Sequence, residues 1–241
     1  MIQSTPLPRW PLFVFAIAGA LGCGSDLLLP DPPGGGDNVA LSMVDGDDQV
    51  GTVGERLPNP LVVEVRTARD LPAPGRKVAF VFTPSAGAVT PDTAISNDDG
   101  QAIARWELGT QPGPHSVQAR MADIEGESDV AEFSAEARAA APDTLSPQSP
   151  QSQPGRRGQE VNSPPVVRVT DRFGNPVPGV AVAWSVTSGQ GQVSEPITQT
   201  ADDGTTSVKW TLGSRIGIHK LTAAIGPVYG SPVAFTATVL F

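Results

Sequence analysis

Asp98-Asp99-Gly100, followed by Trp106-x-Leu108-Gly109 and Gly113-x-His115, decides the plan of this chain. The same pattern returns as Asp202-Asp203-Gly204, Trp210-x-Leu212-Gly213 and Gly217-x-His219, displaced throughout by 104 positions (202 − 98). A period that long is one small domain made twice. At the same offset Gln49, Gly51 and Gly54 meet Gln153, Gly155 and Gly158, and Val62-Val63-x-Val65 meets Val166-Val167-x-Val169. Pro72-x-Pro74-Gly75 meets Pro176-x-Pro178-Gly179. The Pro/Ser/Gln-rich stretch 147–157 has the composition of a linker, yet it aligns without a gap inside the second copy. The junction proper is therefore only 139–142, between copy one at 39–138 and copy two at 143–241.

A chain of 241 residues has room for two ordinary domains. Its net charge of −9 argues against a nucleic-acid partner, whose phosphates need a basic face. Aromatic residues make up 5 %, while 26 Gly and 25 Pro punctuate the chain, which suits a turn-rich all-β protein. In copy one, short runs of alternating polarity predict seven strands near 39–44, 61–67, 77–83, 93–97, 101–108, 115–121 and 130–137. One parity collects the expected core: Val63, Val65, Val78, Phe80, Phe82, Ala104, Trp106, Leu108, Val117, Ala119, Ala131 and Phe133. In copy two the same parity gives Val167, Val169, Val182, Trp184, Val186, Val208, Trp210, Leu212, Leu221, Ala223, Val233 and Phe235. Polar residues such as Arg105 and Lys209 take the opposite parity, as a half-buried antiparallel sheet requires. The fold expected is two tandem Ig-like antiparallel β-sandwiches.

These residues also resemble a known family. Gly174-Asn175-Pro176-Val177-Pro178-Gly179-Val180-x-Val182, the Asp-Asp-Gly turn and the Leu-Gly…Gly-x-aromatic approach to the sixth strand are similar to the bacterial Ig-like domain, group 1, the repeat of intimin and invasin. The likeness is strong in copy two and looser in copy one, where Arg69-Asp70-Leu71 replaces the Gly-Asn approach. It implies stalk segments, with receptor binding in a separate lectin-like tip. No such tip or barrel is expected beside these repeats.

The N-terminus carries a different signal. Residues 1–22 hold Arg9 and an apolar run over 12–21, read as an export signal. Cys23, the single cysteine, follows Ala20-Leu21-Gly22, which resembles a bacterial lipobox and implies lipidation of Cys23. The Pro- and Gly-rich 23–38 then reads as a lipidated flexible tether. The partner implied is a membrane reached through the lipid anchor. Gly24 after the cysteine favours the outer membrane, by resemblance to other lipoproteins.

No residue pattern supports catalysis. One histidine per copy, His115 and His219, cannot make a zinc site, and their inward parity gives them a structural role. Two Asp before a Gly fall short of a calcium loop and are read as hairpin turns. No catalytic, metal, cofactor or small-molecule substrate site is expected.

Charge is uneven: copy one has 16 acidic and 8 basic side chains, copy two 6 and 7. Loops alternate between the two ends of a sandwich. Arg156, Arg157 and Arg215 should therefore gather at the distal end of copy two, as a site for an envelope polymer or surface protein. Phe173, Val177, Val228 and Tyr229 should face copy one and pack the two domains into a stiff rod. The function expected is a lipid-anchored stalk or adaptor for surface presentation or cell adhesion. The alternative is a glycan- or peptide-binding module acting through the distal loops of copy two.

Overall fold

The computed structural model describes residues 39–124 and 129–240. Cys23, the export signal and the tether lie outside the described residues.

Copy one contains β1 (Val39–Asp45), β2 (Gln49–Thr52), β3 (Leu61–Thr67), β4 (Lys77–Phe82), β5 (Gly87–Thr90), β6 (Thr93–Ile95), β7 (Gln101–Leu108), β8 (Gly113–Met121) and β9 (Val130–Arg138). A 3-10 turn, Pro84–Ala86, precedes β5. Copy two contains β10 (Thr144–Pro147), β11 (Ser152–Gly155), β12 (Val166–Thr170), β13 (Ala181–Ser188), β14 (Gln192–Val193), β15 (Ile197–Gln199), β16 (Thr205–Ser207), β17 (Trp210–Thr211), β18 (Gly217–Ala224) and β19 (Val233–Val239).

In copy one, β1-β3-β7-β5 form one sheet and β2-β9-β8-β4-β6 the other. Copy two repeats the plan, with β10-β12-β16 and the β14-β17 pair on one side and β11-β19-β18-β13-β15 on the other. The architecture is all-β and Ig-like. β7 shows why the elements form: Ala102, Ala104, Trp106 and Leu108 are buried while Ile103, Arg105 and Glu107 are exposed. That two-residue period gives the strand one face for the core and one for water.

The seven strands expected per copy become nine in copy one. The additions are β2 and β5, which lack an apolar period. β2, Gln-Val-Gly-Thr, is held by parallel pairing with β9 rather than by hydrophobic content. The chain crosses between sheets at Gly46, where an added Cβ would overlap the carbonyl of Pro60.

Two separate cores result. One gathers residues from Leu41 to Ala137, the other from Leu145 to Val239. Of the residues expected inside, Phe82 and its counterpart Val186 are only partly buried. Both lie near the end of their strand, where the sheet opens toward the turn. Trp106 and Trp210 are fully enclosed, but their polar edges differ. Trp106 Nε1 donates to the carbonyl of Ala86 at 2.8 Å. Trp210 Nε1 has no partner.

A side-chain amide staples each copy, buried in copy one and half-buried in copy two. Gln49 Nε2 donates to the carbonyls of Gly46 (2.7 Å) and Asn59 (3.1 Å), and its Oε1 accepts from Asn59 N at 2.9 Å. In copy two Gln153 donates to the carbonyl of Ser163 at 2.7 Å and accepts its amide at 3.0 Å.

Candidate functional site: the junction between the two sandwiches

The Asp-Asp-Gly motifs make turns. Gly100 and Gly204 have φ of +77° and +75°, a region that glycine enters without steric cost. Asn97 Oδ1 accepts the amides of Asp99 and Gln101 in copy one. Asp203 Oδ1 accepts the amide and hydroxyl of Thr205 in copy two, and these bonds hold the Asp203 carboxyl below the ordinary carboxylate range. Among the described residues no group of three His, Cys, Asp or Glu side chains is placed to hold a metal ion. The histidines close loops: His115 Nε2 bonds the carbonyl of Gln111 at 2.8 Å, and His219 Nε2 that of Arg215 at 2.9 Å.

The densest polar arrangement lies where copy one meets copy two. Asp171, 2 % exposed, directly follows β12. Its Oδ1 accepts the amides of Phe173 and Asn175, both at 2.9 Å. Its Oδ2 accepts Asn175 Nδ2 and, from the linker, the amide of Ala140, both at 3.0 Å. Asn175 Nδ2 also donates to the carbonyl of Thr110 in copy one at 2.7 Å. One carboxylate therefore ties the linker to a loop of copy two, and that loop's amide grips copy one. Burial pushes the Asp171 carboxyl up, but the hydrogen bonds from Asn175, Ala140 and Phe173 outweigh it and hold the group below its ordinary value. Ala139 packs against the core of copy two and Ala140 against that of copy one, so even the linker is packed.

Phe173 is 38 % exposed and sits against Gly54 of copy one, whose φ is +69°. A Cβ added to Gly54 would stand 2.7 Å from Phe173 Cζ. The Arg172 guanidinium covers the ring, 4.7 Å from its centroid. Val177 belongs to the core of copy two at 8 % exposure. Beside it a groove of about 470 Å³ runs between the domains, lined by Pro112, Gly113, Glu136 and Arg138 from copy one and by Pro176 and Pro178 from copy two.

The loop 226–230 departs from expectation. Val228 packs on the core of copy two itself. Tyr229 is 80 % exposed, so its ring does not pack the domains together. The cause is its backbone, which bonds Asp143 O and Leu145 N at 2.9 Å each. This anchors the loop along the start of copy two. Asp171 and Asn175, which do join the copies, were not among the residues expected to do so.

The predicted arginines come together. Gly158 N donates to Gly213 O at 3.3 Å, bringing the turn that holds Arg156 and Arg157 beside the loop of Arg215. All three are exposed. The matching bond in copy one, Gly54 N to Gly109 O at 3.0 Å, lies in the surface that receives Phe173. The arginines thus mark the end of copy two away from copy one.

Fold and junction together define a tandem Ig-like protein whose two sandwiches are joined by a packed, hydrogen-bonded contact. Residues 163–238 match the bacterial Ig-like domain (group 1). No curated protein matches the chain significantly. Among solved structures, FdeC, an Escherichia coli adhesin, aligns over 83 % of this chain and 62 % of its own, with a TM-score of 0.56 and 19 % identity. InvD of Yersinia pseudotuberculosis aligns over 84 % of this chain and 57 % of its own, with a TM-score of 0.46 and 18 % identity. Invasin, a bacterial integrin-binding protein, aligns over 83 % and 39 %, with a TM-score of 0.36 and 18 % identity. The chain thus spans less than two thirds of the length of these structures. At such identity the FdeC likeness speaks to the fold alone.

Proposed function

We propose that this protein is a non-catalytic stalk or adaptor of the bacterial cell envelope. It is carried on a lipid anchor at Cys23, in the outer membrane, and holds its second sandwich away from the membrane for surface presentation or cell adhesion. The observation that most supports this reading is the Ala140–Asp171–Asn175–Thr110 relay. A protein that displays a surface at a set distance needs a junction that resists bending, and a packed linker with a buried, fully bonded carboxylate supplies one. Similarity to a stretch of FdeC, itself an adhesin, accords with the role. Among the described residues no helix is long and apolar enough to cross a membrane.

Metabolic labelling with a palmitate analogue tests the anchor. The intact chain is expected to take up label and sediment with membranes, and Cys23→Ala to lose both. An unlabelled chain in the soluble fraction refutes the anchor. Small-angle scattering tests the stalk, since a broad distribution of interdomain distances refutes a rigid junction. Glycan-array binding that depends on Arg156, Arg157 and Arg215 would instead identify a binding module.

A further inference from the structure

We propose that the loop Gly189-Gln190-Gly191 of copy two is a two-state switch, whose second state is the form its counterpart holds in copy one. The repeat offset of 104 sets these residues against Ser85-Ala86-Gly87. Two buried groups beneath the loop carry the inference. Trp210 Nε1 and His219 Nδ1 have no hydrogen-bond partner, although the side chains belong to residues only 0 % and 1 % exposed. Native folds seldom leave such groups unanswered, and each one needs a physical account. His219 Nε2 is engaged with the Arg215 carbonyl, to which it must donate, so Nδ1 is left as an acceptor.

Copy one answers both. There Pro84–Ala86 form a right-handed 3-10 turn and Gly87 takes φ of +108°. This aims the Ala86 carbonyl inward, where it accepts Trp106 Nε1 at 2.8 Å and Gly109 N at 3.1 Å. His115, the counterpart of His219, borders a pocket of about 240 Å³ beside Ser85. In copy two the turn has the opposite hand. Gly189 and Gln190 have φ of +97° and +59°, while Gly191 has left the positive region. The Gln190 carbonyl does not reach Trp210 Nε1, and a Cβ on Gly189 would overlap His219 Nδ1.

Only copy two has the residues for both hands. The present form needs positive φ at position 189, the copy-one form needs it at 191, and glycine stands at each. Copy one has glycine at Gly87 alone and is held in one form. Left-handed backbone at Gln190 and an unbonded indole both weigh against the present form, which brings the two states close in energy. The change reaches the sheet. β5 pairs with β7 through four residues but β14 with β17 through two, and Val208-Lys209 interrupt what is one strand in copy one. The second state restores the longer ladder. The Gly213 carbonyl also holds the turn of Arg156 and Arg157 through Gly158 N, so that turn is coupled to the loop. None of this depends on the anchored-stalk reading.

Nuclear magnetic resonance of the full, 15N-labelled chain tests it, with the Trp106 indole as internal standard. Relaxation dispersion is expected at the Trp210 indole and at the amides of 189–191, and none at 85–87. The Trp210 indole proton should exchange with solvent about tenfold faster than that of Trp106. Gly189→Ser/Gln190→Ala gives copy two the Ser-Ala-Gly of copy one, and should quench the dispersion and bring the two indoles within about threefold. Gln190→Gly changes an exposed side chain and favours left-handed backbone, so it should lower the population of the second state. The proposal is overturned by flat dispersion at 189–191 in the wild type, the outcome of one fixed loop with its indole bonded to water. It is equally overturned if Gln190→Gly leaves the populations unchanged, and these two measurements decide even where the double variant does not fold.

Discussion

Asn175 Nδ2 donates to the carbonyl of Thr110 across 65 positions of sequence and the boundary between two hydrophobic cores. The same nitrogen also donates to Asp171, which is bonded to the linker amide of Ala140. Loop, linker and neighbouring domain are thereby fixed by one side-chain pair.

Asp171→Ala removes an acceptor from four donor contacts, three of them backbone amides. Copy two should lose about 2–3 kcal/mol in chemical denaturation. Hydrogen exchange at Ala140 and Asn175 should quicken. Unchanged exchange at Ala140 would show that the linker is held by packing alone.

Acid should loosen the junction in the same way. The Asp171 carboxyl is held below its ordinary value, so its contribution is complete above the unfolded value of about 3.9 and fades as pH falls through the depressed folded value. Small-angle scattering is expected to show no change between pH 7 and about pH 5, and larger interdomain motion below about pH 4. Asp171→Asn should remove the transition.

Phe173→Ala should loosen the domains without unfolding either, because the ring lies on the surface of copy two and meets copy one at Gly54, beside the Asn175–Thr110 bond. Gly54→Val should do similar damage from the opposite side and add backbone strain at φ +69°. Limited proteolysis at 139–142 reads both. Resistance equal to wild type would assign the junction to the Asp171 relay alone.

The two tryptophans should respond unequally to conservative change. Trp106→Phe breaks the bond to the Ala86 carbonyl, which keeps only the amide of Gly109 as donor, whereas Trp210→Phe removes an N–H that has no partner. The first should cost about 1 kcal/mol more than the second, measured as the shift of each domain's unfolding midpoint. Equal shifts would mean that ring volume decides both.

The sandwiches were legible because their signal is local. Alternation in Gln101–Leu108 places Trp106 inside without reference to any other strand. β2 was invisible because its pairing with β9, more than 80 residues away, supplies what its own residues lack. The junction was half legible. Phe173 could be assigned to the correct end by counting turns, but the same count put Tyr229 there too, and turn counting says nothing of where a ring points. A better clue was present. Copy one has Thr67 and Leu71 where copy two has Asp171 and Asn175, and Thr67 Oγ1 only accepts the amide of Leu71 within its own turn, at 3.3 Å. Where the repeat breaks its own pattern, copy two has acquired a neighbour.

The parallel pairs have a mechanical meaning. β2 runs beside β9, and β11 beside β19, each through four matched residues and each joining the opening segment of a sandwich to its closing strand. When opposite ends of a domain are pulled apart, two parallel neighbours slide past one another, and every rung between them is strained at once. An antiparallel pair held at the same ends would peel one bond at a time. Both domains therefore meet tension along the chain in shear, the loading direction in which a short row of hydrogen bonds holds best.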